Sequence, residues 1–386
     1  MIVAVIGAGT MGAGIAQVCL VAGHEVRLFD VLPDAADRGR GRIGASLGRM
    51  VARGRLEQPE RDAALTRLTL PGSLEDAVDA VDVVIEAALE DLEAKRDVFR
   101  RLDAAASSRP LLATNTSALS VTDIAMAVRE PGRVLGLHFF NPAPLMVLVE
   151  VVAGEQTAGS IVERGIAFVE GLGKRPVACR DAPGFIVNRV NRPFTLEALR
   201  MLERGESTIE AIDAAIVADG FPMGQFALMD LVGVDVNLAV ARELYLAFDE
   251  AVRFRPSPIQ ERLVADGTLG RKSGRGFFRY DAAGGIEGPA EPFAATGAAQ
   301  TVPDEEIRVR IELAIVNEAY HAAGEGVAAP PDIDLALVLG AAHPVGPFER
   351  ARSLGLGRVI AELRRLEALH GERFQVAPAL WQVASI

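Results

Sequence analysis

Over the first 180 positions, apolar residues come in short, nearly unbroken runs separated by segments of helical spacing. Residues 2–6, 81–86 and 110–114 are such runs, and a further one at 25–30 (EVRLFD) ends on an acid. Runs of that length, β-branched and without polar alternation, read as strands buried on both faces of a parallel sheet. Between them, IAQVCLVAG has helical spacing with Gly23 as its stop, and residues 92–106 are helical as well. Strands alternating with helices predict an α/β fold with a doubly wound parallel sheet.

Around 134–152 the pattern changes. Two apolar runs, 134–140 and 146–152, flank Asn141-Pro142-Ala143-Pro144-Leu145 and predict an antiparallel pair. Past Asp181-Ala182-Pro183-Gly184 the strand-like runs stop, and the spacing is helical to about residue 254 and again from 304 to 386. The stretch 281–303, rich in Gly, Pro and Ala, reads as a linker. The expected order is an α/β domain at 1–183, a helical domain at 184–285, a linker at 286–303 and a second helical domain at 304–386.

The second helical segment repeats the first. Glu197-Ala198 matches Glu318-Ala319, Gly205 matches Gly326 and Asp213 matches Asp334, each 121 positions apart. After a one-residue insertion, Pro222-Met223-Gly224-Gln225-Phe226 matches Pro344-Val345-Gly346-Pro347-Phe348, and Gly233 matches Gly355. Shared spacing over some forty residues points to duplication of one helical unit.

Composition narrows the class. Of 386 residues half are apolar, which implies a sizeable core, and the net charge of -12 disfavours binding to phosphate backbones, so no nucleic-acid partner is expected. Two cysteines, Cys19 and Cys179, are too few for a disulfide framework. No basic leader precedes the first apolar run and no stretch of about 20 apolar residues follows, so a cytoplasmic protein with no membrane partner is expected.

The first candidate site is Gly7-x-Gly9-x-x-Gly12, placed between a strand and a helix. In a dinucleotide turn the first glycine permits the bend, the second lets the backbone approach a pyrophosphate, and the third lets helix pack on strand. The phosphates then meet the unpaired N–H groups at the helix start. Asp30 ends the next strand, where a carboxylate accepts hydrogen bonds from a ribose diol and repels a 2′-phosphate. Val31 offers no compensating cation, so NAD is favoured over NADP.

Of five histidines, His138 has informative neighbours. A hairpin centred on residue 144 sets His138 opposite Glu150, and cross-strand partners lie about 5 Å apart. A carboxylate facing an imidazole fixes its tautomer and raises its basicity, as a general base requires; the same spacing also makes an ordinary cross-strand ion pair. Ser117 lies in the loop after the strand at 110–114, where open α/β sheets bind ligands and where turns also use small polar residues. Asn188 stands at a helix start, either as its cap or reaching toward a ligand. No His/Cys cluster of metal-ligand spacing occurs, and no metal is expected.

Together GAGTMGAGIAQ, NTSALS, HFFNPAPLMVLVEVV and DAPGFIVNRV resemble the L-3-hydroxyacyl-CoA dehydrogenases, including the 3-hydroxybutyryl-CoA enzymes. Leu228-Met229-Asp230 with Gly233, and Lys272-Ser273-Gly274-Arg275-Gly276-Phe277-Phe278, resemble that family's helical domain; the repeat resembles the second helical domain of its larger members. The resemblance implies a Rossmann-type domain followed by two tandem all-α domains, and NAD-dependent oxidation of an L-3-hydroxyacyl-CoA. It assigns His138 as base or acid, Glu150 as its orienting carboxylate, and Ser117 and Asn188 to the reacting group of the substrate. It gives Gly7, Gly9, Met11, Gly12, Asp30, Glu90, Lys95, Asn115, Asn141 and Lys272 to the cofactor.

Six arginines and no acid lie between Arg38 and Arg55, which suits CoA phosphates as well as a solvated helix face, and Arg42 and Arg49 are the named CoA candidates. Gln225, where the family usually has proline, and Val147, where it often has lysine, depart from the pattern. Self-association through the helical domains, or an internal pseudo-dimer of the two copies, is expected. A family dehydrogenase acting on a non-CoA hydroxy acid or alcohol, and a non-catalytic NAD-binding protein, are the competing readings.

Overall fold

The computed structural model describes residues 1–106, 109–294 and 302–384. Two compact units result, Met1–Phe185 and Ile186–Ile386.

The first unit is built on one sheet of eight strands: β1 (Ile2–Ile6), β2 (Glu25–Phe29), β3 (Leu68–Thr69), β4 (Val83–Glu86), β5 (Leu111–Thr114), β6 (Val134–Phe139), β7 (Leu148–Ala153) and β8 (Arg175–Arg180), in the order β3-β2-β1-β4-β5-β6-β7-β8. All neighbours are parallel except β6 and β7. Its helices are α1 (Thr10–Val21), α2 (Ala35–Ala52), α3 (Gln58–Thr66), α4 (Leu74–Val78), α5 (Leu92–Ala105), α6 (Val121–Ala125) and α7 (Gly159–Gly171). The expected doubly wound sheet is present. Strands β4, β5 and β6 are buried along their whole length, which is why their sequences show no polar alternation. β1 has β2 on one side and β4 on the other, so the connections diverge there and a crevice opens beyond the carboxyl ends of the strands. The apolar layer of α1 and α7 against the sheet forms the core, with Ile15, Cys19, Leu20, Phe168 and Val169 packed on Val3, Val5, Leu135 and Val151.

The second unit contains α8 (Val187–Val190), α9 (Arg192–Glu203), α10 (Ile209–Ala218), α11 (Gln225–Val232), α12 (Val234–Ala247), α13 (Pro258–Ala265), the strands β9 (Phe278–Tyr280) and β10 (Ile286–Pro289), and then α14 (Asp304–Gly324), α15 (Pro330–Gly340), α16 (Pro347–Leu354), α17 (Leu356–His370) and α18 (Pro378–Ala384). Two expectations are corrected here. Strands do not stop at residue 184, because β9 and β10 pair antiparallel. Nor is 281–303 a linker throughout: Asp281 caps the hairpin turn by accepting from the N–H groups of Ala283 (2.8 Å) and Gly285 (2.7 Å), and Ala290 is fully buried. The glycines that looked like linker composition serve this turn, Gly284 at φ +82°. Residues 295–301 of the expected linker lie outside the described residues.

The duplication is visible in backbone and side chains alike. Gly233 and Gly355 both take a positive φ (108° and 85°) before a helix. Asp213 accepts from the N–H of Phe226 at 2.8 Å, and Asp334 from that of Phe348 at 2.7 Å, each capping the first turn of the following helix. A Cβ on Gly224 or Gly346 would lie 2.2 and 2.3 Å from those aspartates, so neither position has room for one. Gln225, in the place of Pro347, is buried and donates its amide to Thr195 Oγ1 at 2.5 Å. The copies also exchange ion pairs. Glu318 accepts from Arg189 (2.8 Å) and Arg253 (2.9 Å) of the first copy, whereas Glu197 accepts from Arg373 (2.8 Å) and Arg310 (3.4 Å) of the second.

Candidate active site

In the first unit every candidate loop follows the carboxyl end of a parallel strand, so all of them open on one edge of the sheet. The glycine turn follows β1. Gly7 has φ +106°, and a Cβ there would meet the Ala87 carbonyl oxygen at 2.4 Å. A Cβ on Gly12 would lie 1.8 Å from the Gly7 carbonyl oxygen, the tight approach of helix to strand. Gly9 differs: nothing lies within 4 Å of where its Cβ would be, so this glycine keeps a surface open at the first turn of α1. Asp30 braces the turn, one carboxylate oxygen accepting from Ala8 N (2.7 Å) and the other from Leu32 N (2.9 Å). These residues fit a dinucleotide, with the open face for pyrophosphate and the carboxylate at the ribose position.

Arg42, from α2, donates to the Ala8 carbonyl at 2.5 Å. It lines a cavity of about 250 Å³ together with Arg49, Ser46, Gln17 and Asn141. The two arginines singled out in the sequence therefore share one cavity, but Arg42 is already engaged at the glycine turn. Met11 is half-buried at the start of α1, packed against the core.

Beyond β4 and β5 lies a chain of charges. Lys95, on α5, is almost fully buried and joins Glu86 Oε1 (2.8 Å) to Glu90 Oε2 (3.2 Å). The other oxygen of Glu90 accepts from Thr116 Oγ1 (2.6 Å), Ser117 N (2.8 Å) and Ser117 Oγ (3.3 Å). Burial alone would push the Glu90 carboxyl up, but the Lys95 ammonium and the Thr116 and Ser117 donors outweigh it and hold it below the usual carboxylate range. Asn115 Oδ1 accepts from Phe139 N at 2.9 Å and ties this loop to the end of β6.

His138 stands opposite Glu150 in the β6–β7 register, as the hairpin spacing predicts. Its Nδ1 is 2.5 Å from Glu150 Oε2, and both side chains are buried. The rings of Phe140 and Phe185 pack on the imidazole, with centroids 4.5 and 5.7 Å away. A carboxylate on Nδ1 leaves Nε2 as the nitrogen for proton transfer. The turn carries a cis peptide between Asn141 and Pro142, and Val147 within it is exposed.

Asn188 and Lys272 lie in the second unit. Asn188 is the second residue of α8 and half-buried, at the helix start as read from the sequence, and the N-cap itself is Ile186. Lys272 pairs with Asp235 at 2.6 and 2.7 Å. The sequence reading missed Glu86 and Thr116. An acid ending a parallel strand, as Asp30 does, was the signal available for Glu86. Among the described residues no group of three or more His, Cys, Asp or Glu is arranged to hold a metal ion, and no helix is long and apolar enough to cross a membrane.

The family model for the NAD-binding domain of 3-hydroxyacyl-CoA dehydrogenase matches residues 2–182, and that for its C-terminal domain matches twice, at 184–280 and 307–385. The chain belongs to the 3-hydroxyacyl-CoA dehydrogenase family. The double match also establishes the duplicated helical domain read from the repeat. Like its family this chain is an NAD-dependent oxidoreductase that oxidises a 3-hydroxyacyl-CoA. It is 38% identical to the 3-hydroxyadipyl-CoA dehydrogenase of Escherichia coli over 448 aligned positions, covering 96% of this chain and 94% of that one. It is 43% identical to a 3-hydroxybutyryl-CoA dehydrogenase of Mycobacterium tuberculosis over 72% of this chain and 98% of the relative. Among solved structures, a 3-hydroxybutyryl-CoA dehydrogenase from Escherichia coli superposes with a TM-score of 0.91 at 35% identity, over 100% of this chain and 98% of that one.

Proposed function

We propose that the protein oxidises short-chain L-3-hydroxyacyl-CoA at C3, with His138 as the general base and Glu150 holding it. The buried 2.5 Å contact between the two carries this reading. Bound NAD supplies the acceptor for the hydride leaving C3. His138 Nε2 takes the hydroxyl proton, Glu150 stabilises the imidazolium that forms, and Ser117 turns its hydroxyl proton from Glu90 to the C3 oxygen as that becomes a carbonyl, its N–H staying on Glu90. In the reverse direction the imidazolium returns the proton. General-base catalysis of this kind contributes about 10²–10⁴-fold. Asn188 is assigned to the thioester or reacting group, and Lys272 and Asn141 to the cofactor, on the family resemblance alone. The preference for a short acyl group is supported by the names of the relatives that align over most of the chain.

Arg49 would meet CoA phosphates in the cavity that it lines, whereas Arg42, which lines the same cavity, is bonded to the glycine turn and would stand on the cofactor side. The second helical copy is taken to stand where a partner subunit's copy would, since the exchanged ion pairs have the form of a two-fold interface. The test is NADH formation across a series of L-3-hydroxyacyl-CoA chain lengths and the corresponding free acids, with His138→Gln alongside. Turnover should be highest with short CoA esters and fall at least a hundredfold in the variant. Equal turnover of the free acids would replace the CoA assignment, and undiminished activity of His138→Gln would remove the base.

A further inference from the structure

Glu86 has no part in the chemistry described so far, yet its carboxylate is completely buried at the end of β4 and fully engaged. Its oxygens accept from Ala88 N (2.7 Å), Lys95 Nζ (2.8 Å) and Thr114 Oγ1 (2.7 Å). Lys95 is 1% exposed, so its ammonium does not face a ligand directly; what it presents is its second partner, Glu90. A buried Lys–Glu pair is poor at stabilising a fold, because desolvating both ions cancels most of their attraction and an apolar pair of the same size serves as well. Its place here, at the carboxyl ends of β4 and β5, calls for another reason. One oxygen of Glu90 receives both the N–H and the O–H of Ser117, so the position of that carboxylate decides where the serine hydroxyl points. Lys95 fixes Glu90, and Glu86 fixes Lys95.

We propose that Glu86 is a positioning residue of the reaction, setting through Lys95 and Glu90 where the Ser117 hydroxyl stands for the C3 oxygen of the substrate. The inference rests on the assignment of Ser117 to that oxygen.

Glu86→Gln keeps the volume and an amide oxygen for the Ala88 N–H and the Lys95 ammonium but removes the charge that draws Lys95 to it. With 3-hydroxybutyryl-CoA as substrate, kcat should fall at least tenfold while the Kd for NADH, read by fluorescence titration, stays within twofold. In a Ser117→Ala background the same change should cost less than a further twofold, because its receiver is gone. Lys95→Met removes the cation that holds the Glu90 carboxyl low, so Glu90 takes up its proton at higher pH and the acid limb of the kcat profile should move up. An unchanged kcat in Glu86→Gln overturns the proposal. So does a loss of NADH affinity at constant kcat, which would make the chain a cofactor device, and so does full multiplication with Ser117→Ala, which would mean general damage. Should Glu86→Gln not fold, Thr114→Val, which removes the hydroxyl that holds Glu86 Oε2, carries the same pair of readouts, and the same outcomes decide. Ser117→Ala with full activity would instead sink the serine assignment, and the proposal with it; a loss there combined with an inert Glu86→Gln sinks the proposal alone.

Discussion

Arg189 Nε lies 2.8 Å from Glu318, and the residue 121 positions after Arg189, Arg310, reaches back to Glu197, the residue 121 positions before Glu318. All four side chains are buried. Removing one partner from such a pair leaves an uncompensated buried charge, at a cost of about 3–5 kcal/mol. Glu197→Ala takes the carboxylate from Arg200 and Arg373 and leaves Arg310 only Glu206, and it should lower the unfolding free energy read from urea titration by an amount in that range. The pH dependence has a definite sign. Burial would raise the Glu197 carboxyl, but Arg200, Arg373 and Arg310 reverse this and bring it down from 4.5 to about 2. Its stabilisation is therefore complete above pH 4.5 and is lost as pH falls toward 2. The gap in urea midpoint between the wild type and Glu197→Gln should close over that interval; a constant gap would show that the carboxylate is not what the arginines hold.

The glycine turn separates packing from ligand binding. Gly9→Ala meets nothing within 4 Å in the protein, so thermal stability should stay within about 0.5 kcal/mol, while a methyl group on the open face should weaken NADH binding tenfold or more. Gly12→Ala drives a methyl into the Gly7 carbonyl and should damage stability and binding together. Thermal melts with and without NADH distinguish the two. Equal NADH affinity in Gly9→Ala would move the pyrophosphate off this turn.

The parts of the molecule legible in the sequence were those with one local cause. Strands β1, β4 and β5 declared themselves because burial on both faces demands unbroken apolar runs, and His138 met Glu150 because a hairpin turn fixes register. β8 did not, since RPVACR has exposed arginines at both ends and alternates between buried and half-buried positions within. The Glu86–Lys95–Glu90 chain was illegible as a unit: each residue is an ordinary charge until β4, the loop after it and α5 fold together beside the loop after β5. The β9–β10 hairpin was hidden by its own turn chemistry, whose glycines and alanines resemble a linker. The exchanged arginines were hidden too, because equal spacing reveals a repeat but not how its copies pack.

Arg42 and Arg49 line one cavity but should separate in kinetics. Arg42 is bonded to the Ala8 carbonyl beside the open face of Gly9, whereas Arg49 stands a further two turns along α2. Arg42→Met should raise the KM for NAD several-fold and leave that for the acyl-CoA nearly unchanged. Arg49→Met should do the reverse, and the effect on acyl-CoA should shrink at high salt, as expected for a phosphate contact. If Arg42→Met raises only the acyl-CoA KM, the bond to the glycine turn has no bearing on the cofactor and both arginines belong to CoA.

The exchanged ion pairs also make a prediction about assembly. Ending the chain at residue 294 removes α14 to α18, and with them Arg310 and Arg373, leaving Glu197 with Arg200 alone and the inner face of α9 uncovered. A second truncated chain related by a two-fold axis would bring its own Arg189 and Arg253 to Glu197, just as those residues meet Glu318 in the intact chain. The truncated protein is therefore expected to sediment as a dimer and the full chain as a monomer. Arg189→Met should weaken the dimer of the truncated form at least tenfold, since an isologous interface loses the contact twice. A truncated chain that stays monomeric and keeps the melting temperature of the full protein would mean that the second copy covers a surface needing no cover, and the idea of an internal partner would fail.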